Sequence, residues 1–396
     1  MQGVLADIVT ETHLGYDGYW QQPMRNSLPS MVHVQTNFPS LAGHIGIGVE
    51  GSNATIGGDD KYHSNSGNTL AVPPLDPYGP STRYFDVFTR GTKECEWEAV
   101  PWQPWVKVSP SKGTVGAKGS DTRVSVSIDW ANAPPAPYSS TININVTTPC
   151  RGIDRYNFRA PMVQVPVVNR VVPSTFAGGF VESDGVVAIT GSHYQSITPP
   201  AQSGGANVSY HTFANYGRTG SGVGLIPQGA EKLSLDTAPA LEYSVYLFTN
   251  HSAANVSLYL SPVLNYLGED VPVEYGIALF PAGEAQPKPT LVRPVGPTVG
   301  GNMPDGWGGA VADSVWGRQG TYTRSSFKVA REGAYTMRIW ALMPGIIVQK
   351  IVVDLGGVRP SFFGPPESFL VGRDKKGAFD TTSFVDEVGT LGGRKK

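Results

Sequence analysis

Cysteine, charged residues and long apolar runs are all scarce in this sequence. Among 396 residues there are only two cysteines, and charged residues make up 16% with a net charge of −2. This near-neutral balance predicts no basic surface of the kind that binds nucleic acid. No apolar run approaches the roughly 20 residues of a membrane-spanning helix. We therefore expect neither nucleic acid nor a membrane as a partner.

Motifs for metal, nucleotide or nucleophilic chemistry are missing as well. The closest two of the seven histidines are eleven residues apart, and neither H-E-x-x-H nor paired cysteine ligands occur, so we expect no zinc or other metal site. Residues 217–224 have the glycines of a phosphate-binding loop but lack its lysine and the helix that follows. No G-x-S-x-G elbow is present. We expect no cofactor.

Carboxylates are present, but they do not single out a catalytic pair. A glycosidase needs two carboxylic groups about 5–10 Å apart. Candidates by residue type are Glu50, Asp59, Asp60, Asp76, Glu269 and Asp270. Asp59 and Asp60 are the most interesting pair, because they lie in a glycine-rich loop. Since most carboxylates are simply solvated, we assign no catalytic residues.

Turn-forming residues and alternating strands indicate an all-β protein. The sequence contains 48 glycines and 33 prolines, which with low charge favours packed β domains. In residues 84–172 apolar and polar residues alternate, as in 124–129 and 142–146, which predicts an Ig-like β-sandwich. Residues 173–369 contain strands separated by long turns rich in glycine and proline, which predicts a jelly-roll sandwich.

The two ends of the chain have a different character. Residues 1–22 carry a helical stripe of apolar residues that ends at Gly15, so they predict a short helix. The remainder of residues 1–83 predicts an extended connector with short strands. Residues 370–396 are polar and aperiodic, and we expect a disordered tail.

Two groups of aromatic residues are candidates for stacking on sugar rings. The first group contains Trp97, Trp102, Trp105 and Trp130, and we expect it to pack in the core and at the strand edges of the first sandwich rather than form a sugar platform. The second group, in the terminal sandwich, contains Tyr266, Trp307 and Trp316, with the Asn265 amide beside Tyr266 as a candidate partner for sugar hydroxyls. Trp307 lies in a glycine-rich loop, where either an exposed indole face or packing over the sheet edge is open.

The cysteines and the glycosylation sequons leave alternatives open. Cys95 and Cys150 bracket one strand-rich segment. They either form a disulfide across a loop of about 55 residues, which adds about 3–4 kcal/mol of stability, or remain two unrelated thiols. Five N-x-Ser/Thr sequons are candidate glycosylation sites, at Asn53, Asn145, Asn207, Asn250 and Asn255. They either mark a secreted protein or arise by chance.

The segment 344–368, PGIIVQKIVVDLGGVRPSFFGPPES, consists of a turn, a buried strand and a second turn. It resembles the C-terminal end of family 115 glycoside hydrolases, the xylan α-glucuronidases. Similar segments occur in the same order at 19–26, 48–52, 74–80, 84–91 and 179–185. The resemblance covers about residues 8–369 and lacks the family's catalytic barrel. It implies the C-terminal portion of such an enzyme, with the first helix as a remnant of the preceding helical region.

This resemblance implies an accessory or structural part of a glycoside hydrolase that acts on glucuronoxylan side chains. It implies weak binding of xylan or a glucuronoxylan oligosaccharide, and the catalytic part or a second copy of the chain as a further partner. Secretion is also implied, although residues 1–20 contain Asp7, Glu11 and Asp17 and do not form a signal peptide. The alternatives are an α-glucuronidase active in its own right and a free-standing carbohydrate- or partner-binding protein.

One position departs from the related carbohydrate modules. Those modules carry an acidic Ile-Glu-Ala-Glu pattern at the first strand, which can hold a structural calcium. This sequence has ITGSHY at residues 189–194. Both acids are absent, so we do not expect calcium at this position.

Overall fold

The computed structural model describes residues 45–51, 55–56, 70–89, 93–116, 121–150, 162–202, 207–298, 303–317, 322–359, 361 and 363–372. The predicted N-terminal helix, Asp59, Asp60 and the part of the predicted tail after residue 372 lie outside these ranges. Leu370 and Val371 still pair with the segment around Phe180, so the paired structure continues past the predicted end of the last domain.

Within the described residues, nine strands form the first β-sandwich. They are β1 Ile45–Val49, β2 Thr55–Ile56, β3 Thr82–Thr89, β4 Cys95–Pro101, β5 Val106–Ser109, β6 Lys112–Val115, β7 Thr122–Ile128, β8 Tyr138–Thr147 and β9 Met162–Asn169. One sheet has the order β2-β1-β3-β7-β5 and the other β6-β4-β8-β9. Alternate residues such as Val124, Val126 and Ile144 are fully buried between them. The sandwich therefore includes β1 and β2, which the sequence analysis assigned to the connector.

Twelve further described strands form the second sandwich. They are β10 Phe180–Val181, β11 Val186–Thr190, β12 Ser196–Thr198, β13 Ser209–Ala214, β14 Ser221–Ile226, β15 Ala240–Leu247, β16 His251–Leu260, β17 Tyr275–Pro281, β18 Thr290–Val292, β19 Arg324–Val329, β20 Gly333–Ala341 and β21 Ile347–Asp354, with a helix α1 at Trp307–Asp313. One sheet has the order β10-β15-β20-β17-β18 with β12 beside β15, and the other β13-β14-β21-β16-β19 with β11 beside β21. The predicted all-β fold, an Ig-like sandwich followed by a jelly-roll sandwich, is confirmed.

Strand β21 is buried on both faces, which explains its nearly continuous apolar sequence. Val348, Ile351 and Val353 point into the core. Residues 363–371, which we call the C-terminal strap, cover the opposite face. The Lys350 ammonium donates to the carbonyl oxygens of Phe363 (2.9 Å) and Pro365 (2.8 Å) and so ties the strap to the sheet. Burial lowers the pKa of Lys350 to about 8.

Buried charged side chains join the two sandwiches. The Asp76 side chain is 2% exposed, and its Oδ2 accepts hydrogen bonds from the Arg170 guanidinium (3.2 Å) and the Ser183 hydroxyl (2.9 Å). Arg83, also buried, pairs with Asp184 across the same boundary (3.4 Å). Because Asp76 and Arg83 lie on or beside the first sandwich while Ser183 and Asp184 belong to the second, this network fixes the orientation of one sandwich against the other.

Candidate functional site

A glycine with a left-handed backbone conformation positions Trp307 at the start of α1. Gly306 has a φ of 80°, a conformation that favours glycine. A Cβ atom at this position would lie 2.5 Å from the ring of Tyr322. Only glycine therefore lets the Tyr322 ring cover this turn. Trp307, which the sequence analysis placed in a loop, is the first residue of a helix.

Trp307, Trp316 and Tyr322 form a contiguous aromatic group, which we call the aromatic ledge. The ring centroids of Trp307 and Trp316 are 6.2 Å apart, and those of Trp316 and Tyr322 are 5.5 Å apart. Trp316 is 1% exposed, and its indole N–H donates to the Val263 carbonyl oxygen (3.1 Å). Trp316 therefore supports the ledge from the core and lacks the exposed face that a sugar-stacking residue needs. Trp307 is partly buried and Tyr322 is 40% exposed.

A carboxylate lies beside the exposed ring of the ledge. The Tyr322 hydroxyl donates to Oδ2 of Asp305 over 2.8 Å, and this bond raises the pKa of Tyr322. Tyr322 has a φ of 65°, a strained conformation for a residue with a side chain, of the kind that collects at functional sites. Aromatic faces pack against sugar C–H groups, while a carboxylate accepts bonds from sugar hydroxyls.

Sequence reasoning missed both Tyr322 and Asp305. Asp305 immediately precedes the glycine before Trp307, so its proximity to the indole was open to inference from the sequence. Tyr322 lies fifteen residues further along the chain than Trp307, and only the folded chain brings it over the Gly306 turn.

A buried amide supports the ledge from behind. Gln349, which is 0% exposed, donates from Nε2 to the Ser314 carbonyl oxygen (3.0 Å) at the end of α1 and to the Ser261 hydroxyl (3.1 Å). Its Oε1 accepts a bond from the backbone N–H of Arg218 (2.8 Å). The Arg218 guanidinium in turn reaches Asp313 of α1 (3.4 Å). The glycine-rich segment 217–224 therefore contacts the end of α1 through Gln349 and Asp313.

Asn265 and Tyr266 lie in the loop after β16 and have different roles. Asn265 uses both Nδ2 hydrogens, toward Glu269 (3.2 Å) and the Gly296 carbonyl oxygen (3.3 Å), and its Oδ1 accepts from the Val273 backbone N–H (3.0 Å). Its amide therefore orders the loop. Tyr266 is 46% exposed and presents a second aromatic surface in this sandwich.

The four tryptophans of the first sandwich also include both buried and exposed residues. Trp97 and Trp105 are 2% and 7% exposed and lie in the core, while Trp130 packs against it. Trp102 is 57% exposed and lies outside the core, at the end of a strand. It follows β4 and its backbone N–H donates to the Asn143 carbonyl oxygen (3.0 Å).

Cys95 and Cys150 lie next to each other as thiols. Both are free, with Cys95 buried and Cys150 partly exposed. Burial and then the neighbouring Cys150 thiol raise the pKa of Cys95 to about 12. The two residues of the predicted disulfide are therefore brought together, and the disulfide itself stays a prediction.

The candidate glycosylation sites differ in exposure. Asn207 and Asn250 are exposed, whereas Asn145 on β8 and Asn255 on β16 are partly buried. Asn255 Oδ1 accepts a bond from the Ser326 hydroxyl (2.8 Å). Asn53 lies outside the described residues.

Three of the candidate carboxylates that the structure describes have structural partners, while Asp270 is exposed. Glu50 pairs with Arg83 (3.0 Å) and Asp76 with Arg170, while Glu269 accepts a bond from a backbone N–H (2.9 Å) that lowers its pKa. In the described part of the chain, no group of three or more His, Cys, Asp or Glu residues is arranged to hold a metal ion. None of the described helices is long and apolar enough to cross a membrane.

Comparisons with solved structures identify distant similarities. The chain is similar to a family 115 4-O-methyl-α-glucuronidase with specificity for decorated arabinogalactans, at 14% identity and a TM-score of 0.29 over 48% of this chain and 19% of that one. It is also similar to a family 6 carbohydrate-binding module from Clostridium stercorarium in complex with cellobiose (13%, TM-score 0.24, 45% of this chain, 98% of that one). A two-domain protein of unknown function from Bacteroides fragilis matches 83% of this chain and 99% of its own length (8%, TM-score 0.25).

The family comparison is more specific. A search of curated proteins found no significant match. The chain spans 19% of the length of the glucuronidase, and no catalytic barrel is evident in the residues that the structure describes. Residues 179–367 match the model described as the glycosyl hydrolase family 115 C-terminal domain. The second sandwich therefore matches the family 115 C-terminal domain, and the chain resembles the C-terminal portion of such an enzyme.

Proposed function

We propose that this chain is the C-terminal accessory part of a glycoside hydrolase that acts on glucuronoxylan side chains, and that the aromatic ledge binds the xylan chain. The family match over residues 179–367 supports the accessory role. The observation that carries the binding site is the 40% exposed Tyr322 ring beside Asp305 and Trp307. The catalytic part of the enzyme is the main protein partner in this proposal, and secretion follows from a polysaccharide substrate outside the cell.

The ledge predicts weak binding. One stacked aromatic ring contributes about 1 kcal/mol beyond area burial, and the ledge offers one exposed ring and one partly buried ring. A shallow site of this kind binds in the high micromolar to millimolar range, about −4 to −6 kcal/mol. Such a site raises the local concentration of substrate and leaves the chemistry to the catalytic part.

Substitution of the ledge tests this proposal. We expect Tyr322→Ala and Trp307→Ala each to weaken retention on glucuronoxylan in affinity electrophoresis by about tenfold, because each removes a stacking face. Trp102→Ala, which removes a more exposed indole (57%) from the other sandwich, is the control and should keep full retention. Retention that survives both ledge substitutions, or is lost with Trp102→Ala, contradicts the assignment.

An activity assay tests the accessory role. We expect the purified chain to release no 4-O-methylglucuronic acid from glucuronoxylan. The matched residues are those of a C-terminal domain, and three of the described candidate carboxylates serve structural contacts. Release above the background of a heat-treated sample would favour the alternative of an active α-glucuronidase.

A further inference from the structure

A groove of about 230 Å³ lies between the two sandwiches, remote in sequence from the aromatic ledge. Three parts of the chain form its walls: residues 78–83 at the start of β3, residues 183–186 at the start of β11, and, after β21, residues 357, 359, 361 and 364–368. Both sandwiches therefore contribute to it. Its volume is below the roughly 300–1,000 Å³ of pockets for drug-sized ligands, which suits a ligand of a single ring.

Two carboxylates face this groove, and each has one oxygen already engaged. Asp184 Oδ2 accepts bonds from Arg359 (2.8 Å) and Arg83 (3.4 Å). Glu367 Oε1 accepts from the Thr190 backbone N–H (2.8 Å) and is 2.7 Å from Nδ1 of His193. The Thr190 side chain adds a further hydrogen bond to Glu367. We assign Asp184 Oδ1 and Glu367 Oε2, which these named bonds do not use, as the acceptors for a ligand.

The backbone at Asp184 adopts an unusual conformation, which fixes the position of this carboxylate. Asp184 has a φ of 50°, in the left-handed region that residues with a side chain rarely adopt. A Cβ on neighbouring Gly357 would lie 1.6 Å from the Asp184 carbonyl oxygen. The close approach of these two segments thus requires glycine at 357 and places Asp184 on the groove wall.

The charges of the groove disfavour an anion. Arg83 and Arg359 are both paired with Asp184, and Arg83 also pairs with Glu50 (3.0 Å). Hydrogen bonds from His193 and Thr190 outweigh the effect of burial and lower the pKa of Glu367, which keeps it ionised. Free carboxylate oxygens accept bonds from hydroxyl groups and repel other carboxylates.

The remaining wall is apolar. It consists of the Tyr78 ring, Val186 and three prolines, Pro80, Pro365 and Pro366. An apolar wall opposite a few fixed polar groups is the usual composition of a small-molecule site, and a sugar ring has the complementary pair of surfaces, C–H groups and hydroxyls.

We propose that this groove binds one neutral sugar ring, with its hydroxyls donating to Asp184 and Glu367 and its C–H face against the prolines. The proposal goes beyond the aromatic ledge, since the site is distinct from it and spans both sandwiches. A bound ring contacts both sandwiches at once, so binding also stabilises their junction.

The test is titration of the full chain with D-xylose, D-glucose, D-galactose, D-mannose and D-glucuronate, followed by saturation-transfer NMR. At least one neutral sugar is expected to bind about tenfold more tightly than D-glucuronate, because the carboxylates repel the anion. Ser361→Phe, at an exposed position on the groove wall, should block the site and weaken binding about tenfold. Glu367→Gln keeps the volume and the engaged oxygen but replaces the free acceptor, and should also weaken binding about tenfold. Ser139→Phe, exposed on the first sandwich, is the control and should bind as the unaltered chain.

The outcomes separate this site from the ledge. Loss of binding in Ser361→Phe with retention in Trp307→Ala supports the groove, whatever the fate of the ledge. Loss in Trp307→Ala with retention in Ser361→Phe overturns the groove and favours the ledge. Equal affinity for D-glucuronate and the neutral sugars, or no binding of any neutral sugar at millimolar concentration, also overturns it. If Glu367→Gln fails to fold, Ser361→Phe decides alone.

Discussion

Strand register places the two cysteines opposite each other. In the pairing of β4 with β8, Glu98 lies opposite Thr147. The same antiparallel register, continued three residues along each chain, sets Cys95 opposite Cys150. Directly opposite residues on neighbouring antiparallel strands have Cβ atoms about 4.5–5.5 Å apart, somewhat more than the about 3.5–4.5 Å of a disulfide. A small adjustment at the end of β8 is therefore enough for the two sulfurs to bond.

We predict that oxidation joins Cys95 and Cys150. The bond should raise the free energy of unfolding by about 3–4 kcal/mol, and it should form faster as the pH rises, because the thiolate is the nucleophile and burial raises the pKa of Cys95 to about 12. Non-reducing peptide mapping and thermal unfolding with and without reductant measure both effects. Cys150→Ser should remove the difference between the two conditions. Two free thiols after prolonged oxidation would contradict the prediction.

Single residues were predictable from sequence where they sit in regular strands and less so elsewhere. Alternation identified Val124, Val126 and Ile144 as core residues, and all are fully buried. The tryptophans outside regular strands had no such pattern. Trp316 is buried because the segment after α1 pairs with Leu260 on β16, while Trp102 is exposed because it continues the outward-facing row of β4. Both facts depend on contacts distant in sequence.

At the scale of elements, the glycine-rich turn before β14 provides a direct test of packing. Gly217 has a φ of 65°, and a Cβ there would lie 2.4 Å from the amide carbon of Gln349. Gly220 has a φ of 88°, and a Cβ there would meet no atom within 4 Å. The two positions share the left-handed backbone and differ only in the space available.

We predict that Gly217→Ala destabilises the protein more than Gly220→Ala. Backbone strain alone costs about 1–2 kcal/mol, which Gly220→Ala should show. Gly217→Ala should cost about 3–4 kcal/mol, because it also displaces Gln349 from the bonds that hold the end of α1. Urea unfolding of both variants measures the difference. Equal costs would mean that Gln349 moves aside freely.

Helix α1 illustrates why element type was not fully predictable. Its sequence WGGAVAD contains two glycines and begins without a side-chain cap, so intrinsic propensity argues against a helix. Ala310 and Trp307 pack on the core, and Gln349 bonds to the residue that ends the helix. Tertiary contacts therefore stabilise an element that local sequence does not favour, whereas strands such as β8 and β15 follow from alternation alone.

At the scale of the whole molecule, the junction between the sandwiches is carried by pairs far apart in sequence. Glu182, which is 0% exposed, accepts bonds from the backbone N–H groups of Phe248 (2.6 Å) and Thr249 (2.9 Å) and lies 3.5 Å from Arg170. Asp76 and Arg170 are 94 residues apart along the chain. The alternating pattern of apolar and polar residues predicts each sandwich separately. It does not reveal ion pairs between residues so far apart along the chain.

Because buried charged contacts join the two sandwiches, we predict that the sandwiches unfold together. Asp76→Asn should lower the free energy of unfolding by about 3 kcal/mol, because removing the buried Asp76 charge leaves Arg170 with Glu182 as its remaining partner and weakens the bond to Ser183. It should also split a single calorimetric transition into two, since the sandwiches then unfold independently. Asp86→Asn is the matched control: Asp86 pairs with Arg123 at side-chain exposures of 34% and 60%, and an exposed pair of this kind contributes about 0–1 kcal/mol. A single unchanged transition in Asp76→Asn, or an equal loss in Asp86→Asn, would show that the buried charges do not couple the two sandwiches.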